Sequence, residues 1–249
     1  MKTGQFFIVG AQRSGSTFLY TILEDHPEIC MAHPMKPEPK YFIDEKVYRE
    51  DLSNYDYLFY AHYINEKTRG EKSVSYFEME EAAARIAKGF PQSKILVILR
   101  NPVNRAISNY YFSKENGLET RTIEEAFLEK KPVPQHFTTS VSPFSYIDRG
   151  KYIDYLHMYL NYFRNDQIYV VILEELIGEL STVQQIFSFL GVNEDFIPNN
   201  YTLPVNRGET DIVETKNEVE SYLRTIYSPY NKSLESFLGR EIKCWRKKN

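Results

Sequence analysis

The chain has 249 residues, and its 30 Lys and Arg against 34 Asp and Glu give a net charge of −4 at neutral pH. Apolar residues at 42% and charged residues at 26% exclude a disordered chain, and the length suits one large domain or two small ones, of which a single domain over residues 1–249 is favoured. The mild acidity argues against a nucleic-acid binder but leaves room for a local basic pocket that takes an anionic small molecule.

Gln5 to Val9 reads as a buried strand ending at Gly10, and Gly15 to Glu24 as the helix after it, closed by His26-Pro27. Residues 31–45 are rich in proline and read as loop. Residues 70–77 read as a short strand or an extended loop, and Glu78 to Lys88 as a helix with Glu early and Lys late. Lys94 to Leu99 is the clearest buried strand, and Asn101-Pro102 starts a helix that runs over Val103 to Lys114. Lys151 to Phe163 has helical spacing, Ile168 to Leu173 is another buried strand, and helices follow at about 179–190 and 214–238. Short, uniformly apolar strands separated by helices are the pattern of a parallel sheet covered on both faces. Two cysteines, Cys30 and Cys244, cannot build a disulfide framework. The five histidines have no metal-ligand spacing, and no apolar run suits a signal or a membrane span. A cytoplasmic protein without a metal centre is expected.

Gly10-Ala11-Gln12-Arg13-Ser14-Gly15-Ser16-Thr17 joins the first strand to the first helix with the G-x-x-x-x-G spacing of a phosphate loop. Such a loop aims backbone amides and the helix N-terminus at an anion. Arg13 adds charge, and Ser14, Ser16 and Thr17 add hydroxyl donors. A nucleotide-hydrolysing loop needs Lys after the second glycine, and Ser16 stands there instead. The second large strand ends in Arg100, where a magnesium-binding Asp would be needed. The pattern favours a phosphate-bearing donor whose chemistry does not need magnesium. Arg100, at a strand's C-terminal end, and Ser108, two turns into the next helix, could both reach one further phosphate.

These segments together resemble the sulfotransferases that use 3′-phosphoadenylyl sulfate (PAPS), in the branch of the heparan sulfate enzymes and their bacterial relatives. The likeness runs in order through Val9 to Thr17, Pro37 to Phe42, Gly70 to Tyr76, Leu99 to Ser108 and Arg149 to Tyr152, with a looser match over Tyr227 to Arg240. The chain departs from the branch in having Arg13 where Lys is common, Pro37 for the Lys of the K-E-P segment and Val74 for a proline.

The resemblance implies a P-loop-like α/β fold with a mostly parallel sheet of about five strands. It implies that Arg13, Ser14, Gly15, Ser16 and Thr17 hold the 5′-phosphosulfate, that Arg100 and Ser108 hold the 3′-phosphate, and that Arg207 and Gly208 belong to a late phosphate loop. Glu38 would be the general base, Lys72 would hold the sulfate or the acceptor, and Arg13 would stabilise the leaving phosphate. His33 and His62 are alternative bases. The acceptor would be a hydroxyl, less readily an amine, of a small molecule, sugar or lipid, with residues 44–66 and 115–148 shaping its pocket. The competing readings are a P-loop kinase or NTPase and a non-catalytic protein that binds the product PAP. The aromatic share, 20 Tyr, 16 Phe and one Trp, would serve mostly as packing and partly as the lining of an acceptor cleft.

Overall fold

The computed structural model describes residues 3–129, 131–133, 142–202 and 217–246. The chain forms two compact units, Met1–Leu99 with His157–Val205 and Arg100–Leu156 with Asn206–Asn249.

The first unit is built on a five-stranded sheet. Its strands are β1 (Gly4–Gly10), β2 (Ile29–Met31), β3 (Thr68–Lys72), β4 (Lys94–Leu99) and β5 (Ile168–Ile172). All neighbours are parallel, in the order β2-β3-β1-β4-β5. The expected P-loop-like parallel sheet is therefore present, with β1 at its centre. Every residue of β1 after Gly4 is buried, as are all of β4 after Lys94. Strands buried on both faces must be apolar throughout, which is why these two read so clearly in the sequence.

The pleat sends alternate side chains to opposite faces. Phe6, Ile8, Leu96 and Ile98 pack with Phe18, Leu19, Ile22 and Leu23 of α1 (Ser16–Glu24). Val183, Ile186, Phe187 and Leu190 of α8 (Leu180–Leu190) join the same cluster. Phe7 points the other way, into an aromatic layer where its ring meets Phe42 at 5.5 Å and Phe90 at 5.6 Å. Phe90 follows α3 (Glu80–Gly89), and Tyr55 of α2 (Tyr55–Phe59) contacts both Phe42 and Phe90.

The elements between β1 and β4 differ most from expectation. The 31–45 segment is mainly loop, but it opens from the three-residue strand β2 and holds a 3-10 turn at Tyr41–Ile43. The 70–77 segment divides: β3 ends at Lys72 and a 3-10 turn covers Val74–Glu78.

The second unit contains α4 (Pro102–Glu115), α5 (Ile123–Phe127) and α9 (Asn217–Leu238). Asn101 caps α4 by accepting from the amides of Val103 (3.0 Å) and Asn104 (3.4 Å), and Pro102 follows at the first helical position, where its missing N–H costs nothing. Val103, Ala106, Tyr110, Phe127, Tyr146, Val219, Leu223 and Tyr227 form its core. Two buried arginines, Arg105 and Arg149, both donate to the Asn109 side-chain oxygen at 3.3 Å. Helix α6 (Tyr152–Leu160) leads towards β5, and the short α7 (Leu173–Leu176) follows that strand. No described helix is long and apolar enough to cross a membrane.

Two glycines of the loop after β1 are set by close packing. A Cβ on Gly10 would lie 2.5 Å from the Phe77 Cβ, an atom fixed to the backbone. Gly15 has φ +84°, and a Cβ there would lie 2.5 Å from the tip of Leu173, which a rotamer change can relieve. Gly15→Ala should therefore lose about 1–2 kcal/mol, mostly from the left-handed backbone. Gly10→Ala should lose about 2–3 kcal/mol, because the Phe77 turn itself must move. Urea denaturation of the two variants checks the order.

Candidate active site

The loop 10–17 leaves the central strand with its hydrogen bonding continued past the strand end: the Ala11 amide donates to the Ile98 carbonyl at 2.7 Å. Arg13 takes a left-handed backbone, φ 66°, which is costly for a residue with a Cβ and is held here by the surrounding turn. Gly15 is the N-cap of α1 and brings no side chain to the first-turn amides, which leaves them for an external acceptor. Ser14 is fully buried, and its hydroxyl has no hydrogen-bond partner among the described residues. A buried hydroxyl without a partner costs free energy unless something supplies one. These features suit a phosphate-type anion.

On the neighbouring strand, the register Ile8↔Lys72 sets the end of β3 beside the strand that feeds this loop. The Lys72 ammonium donates to Glu38 Oε1 at 2.5 Å, and the Val74 amide donates to Glu38 Oε2 at 3.1 Å. Lys72 is 3% exposed and Glu38 16%. The structure thus joins two of the three residues expected to be catalytic, Glu38 and Lys72, in one largely dehydrated ion pair, where charge is little screened by water.

Glu71, one residue before Lys72, leaves the strand on the opposite pleat, the side of its register partner Phe7. It is fully buried. Tyr55 donates to its Oε2 at 2.5 Å and Ser73 to its Oε1 at 2.8 Å, and Tyr76 is a further side-chain hydrogen-bond partner. Burial raises its carboxyl to about 7 against these hydrogen bonds, and the nearby Glu38 charge adds to the rise. Tyr55 and Tyr76 are both held well above the usual tyrosine range, first by burial and then by the Glu71 charge. Sequence reasoning gave Glu71 no role. The available signal was a strand whose last two residues are charged and must nevertheless be buried in a parallel sheet.

The alternative bases lie in another cluster. His33 is 2.8 Å from Glu24 Oε1 and stacks on the His62 ring at 4.2 Å. His62 Nε2 approaches the Met31 carbonyl at 3.0 Å and the Cys30 sulfur at 3.4 Å.

In the second unit, Arg100 directly precedes the α4 cap, and its carbonyl accepts from the Tyr152 hydroxyl at 2.8 Å. Ser108 is buried on α4. Arg207 and Gly208 lie outside the described residues. Among the described residues, no group of three His, Cys, Asp or Glu is placed to hold a metal ion.

The sulfotransferase domain model matches residues 3–238. A membrane-associated sulfotransferase of Dictyostelium discoideum is 24% identical over 96% of this chain and 66% of its own length. The heparan sulfate glucosamine 3-O-sulfotransferase 3B1 of Mus musculus is 26% identical over 96% of this chain and 64% of its own. The chain therefore spans slightly under two thirds of the length of these curated relatives. A crystal structure of a sulfotransferase from Alicyclobacillus acidocaldarius superposes with a TM-score of 0.81 at 28% identity, covering 99% of this chain and all of that one.

The raised Glu71 carboxyl has a consequence for stability. An acid with a higher pKa folded than unfolded favours the fold when protonated. That contribution is complete below about pH 4.5, the ordinary value, and is lost as the pH rises through about 7. Its size is on the order of 3 kcal/mol. Urea denaturation from about pH 5 to 8 should show stability falling for the wild type, with the Glu71 share of the slope absent in Glu71→Gln. Equal slopes would return the carboxyl to its ordinary range.

Proposed function

The chain belongs to the sulfotransferase family, and from that premise we propose that it moves a sulfuryl group from PAPS to a hydroxyl of a sugar, lipid or small-molecule acceptor, leaving PAP. The observation that carries this reading is the Lys72–Glu38 pair at the end of the strand beside the 10–17 loop. A buried cation and a carboxylate held at 2.5 Å next to an anion-binding loop are what transfer of an anionic group to a hydroxyl requires. The name of the glucosamine 3-O-sulfotransferase relative supports an oxygen acceptor. We place the protein in the cytoplasm, in keeping with two cysteines that form no disulfide.

The donor, when bound, supplies an activated SO₃ unit on its 5′-phosphate. The chain's own groups then have separate tasks. Arg13, the Ser14 hydroxyl and the first-turn amides over Gly15, Ser16 and Thr17 bind the phosphate and offset the charge it gains as the leaving group. Lys72 directs its ammonium at the sulfate oxygens. Glu38 orients the acceptor hydroxyl and accepts its proton. The Val74 amide and Lys72 both donate to Glu38, which fixes the direction in which its carboxylate meets the acceptor. Arg100, Ser108, Arg207 and Gly208 are assigned to the 3′-phosphate, where Arg offers a bidentate fork.

Thermal-shift and calorimetric titrations test the reading. PAP should raise Tm without added metal, and ATP should raise it far less. Glu38→Gln should keep PAP affinity within a few-fold and lower kcat by about 10²–10⁴, and Arg13→Ala should weaken PAP binding. Equal stabilisation by ATP with magnesium would overturn the proposal in favour of a nucleotide kinase or hydrolase. PAP binding without any PAPS turnover, across a screen for an 80-dalton gain (the mass of SO₃), would make the protein a non-catalytic binder.

A further inference from the structure

We infer that Glu71 is a positioning residue for this reaction: its ionised carboxylate, acting through the hydroxyls of Ser73 and Tyr76, fixes the backbone of the loop that carries Glu38. The inference rests on the sulfuryl-transfer reading for its functional consequence, but its structural part stands on hydrogen bonds within the first unit.

Glu38 begins a loop that turns at Lys40 and enters the aromatic layer at Phe42. Two amides of that loop are held by hydroxyls from beyond the end of β3. The Lys40 amide donates to Ser73 Oγ at 2.9 Å, and the Phe42 amide donates to the Tyr76 hydroxyl at 3.1 Å. A hydroxyl has one proton and two lone pairs. Ser73 directs its proton to Glu71, and Tyr76 has Glu71 and Ser73 as side-chain partners. Each hydroxyl is thereby oriented with its lone pairs towards the loop amide. Glu71 is the common anchor of both relays, and Tyr55 donates to it from α2.

Such convergence suits an ionised carboxylate, which only accepts. A neutral carboxyl has its own proton to place and accepts more weakly, because the bonds lose their charge assistance. Protonation therefore loosens both relays together. The groups facing Glu71 are Tyr55 of α2, Tyr60 just after it, Ser73 and Tyr76 beyond β3, and Glu38 from the loop. Of these Glu38 is charged, and it opposes a second negative charge. Burial raises the Glu71 carboxyl to about 7: ionisation disfavours the fold as a whole, while the charge it places on the anchor strengthens the two relays across neutral pH.

Amide hydrogen exchange of the full chain, corrected for intrinsic rates, reads the relays without an acceptor. Protection of Lys40 and Phe42 in the wild type should fall by about tenfold as the pH drops from about 8.5 to 5.5. In Glu71→Gln both amides should stay at the low-pH level throughout. Tyr76→Phe retains Glu71 and should deprotect Phe42 alone, which keeps the test decisive if Glu71→Gln fails to fold. Where the wild type turns over PAPS with a panel of sugar and phenol acceptors, Glu71→Gln should lower kcat by about tenfold or more with KM for PAPS unchanged, and should lose the acid limb near neutrality. Protection of Lys40 and Phe42 that does not depend on pH would overturn the inference, as would wild-type kcat and pH profile in Glu71→Gln. Absence of wild-type turnover, with the exchange pattern intact, would instead remove the sulfuryl-transfer reading and leave the relay standing.

Discussion

The first unit's site depends on how β1 is buried. The strand has a parallel neighbour on each side and packed layers over both faces, so its backbone is paired within the sheet and its side chains meet apolar company. Polar chemistry can begin only where the ladder ends. It does so gradually: the Ser73 amide still reaches the Ile8 carbonyl at 3.1 Å, and the Ala11 amide reaches Ile98. These last bonds hold the 10–17 loop and the end of β3 side by side before any side chain contributes.

Two adjacent residues of β3 show two ways of keeping a charge out of water. Lys72 is neutralised by a counter-ion, Glu38, from a loop 34 residues earlier in the chain. Among the described residues Glu71 has no cation in its hydrogen-bond set and is met by hydroxyl donors instead. Pairing offsets a charge with its counter-ion, whereas solvation by hydroxyls leaves a group able to gain a proton when burial disfavours its ion. The strand therefore ends in one charge paired with a counter-ion and one carboxyl solvated by hydroxyls, on opposite pleats.

The fold was legible where burial demands uniform chemistry. β1, β4 and β5 are continuous apolar runs and were found within a residue or two. β3 was ambiguous because Arg69, Glu71 and Lys72 interrupt it, and only tertiary partners explain those charges. β2 has three residues beside a proline-rich loop, and α2 and α5 have five each, too short for periodicity to register. The division into two units has no composition shift or linker to mark it. In the site, the 10–17 loop was read from its glycine spacing, and Glu38 and Lys72 from the resemblance to the sulfotransferases. Their direct pairing was not, because nothing local links residues 38 and 72. Glu71 escaped because its role is carried by Tyr55, Ser73 and Tyr76, whose hydroxyls look like ordinary packing and turn residues in the sequence.

The aromatic layer gives the tyrosine content a different meaning. Tyr55, Tyr60 and Tyr76 are buried as deeply as phenylalanines, yet their phenol groups surround a carboxylate from which water is shut out. They act as a covalently attached solvent: a fixed number of O–H dipoles, already pointing inward, that neither exchange nor evaporate from the site. Changing Tyr to Phe in this layer leaves its shape almost untouched and removes one molecule of that solvent. Side chains that a packing comparison treats as interchangeable thus set the local dielectric, and with it the ionisation state of a group the rings conceal.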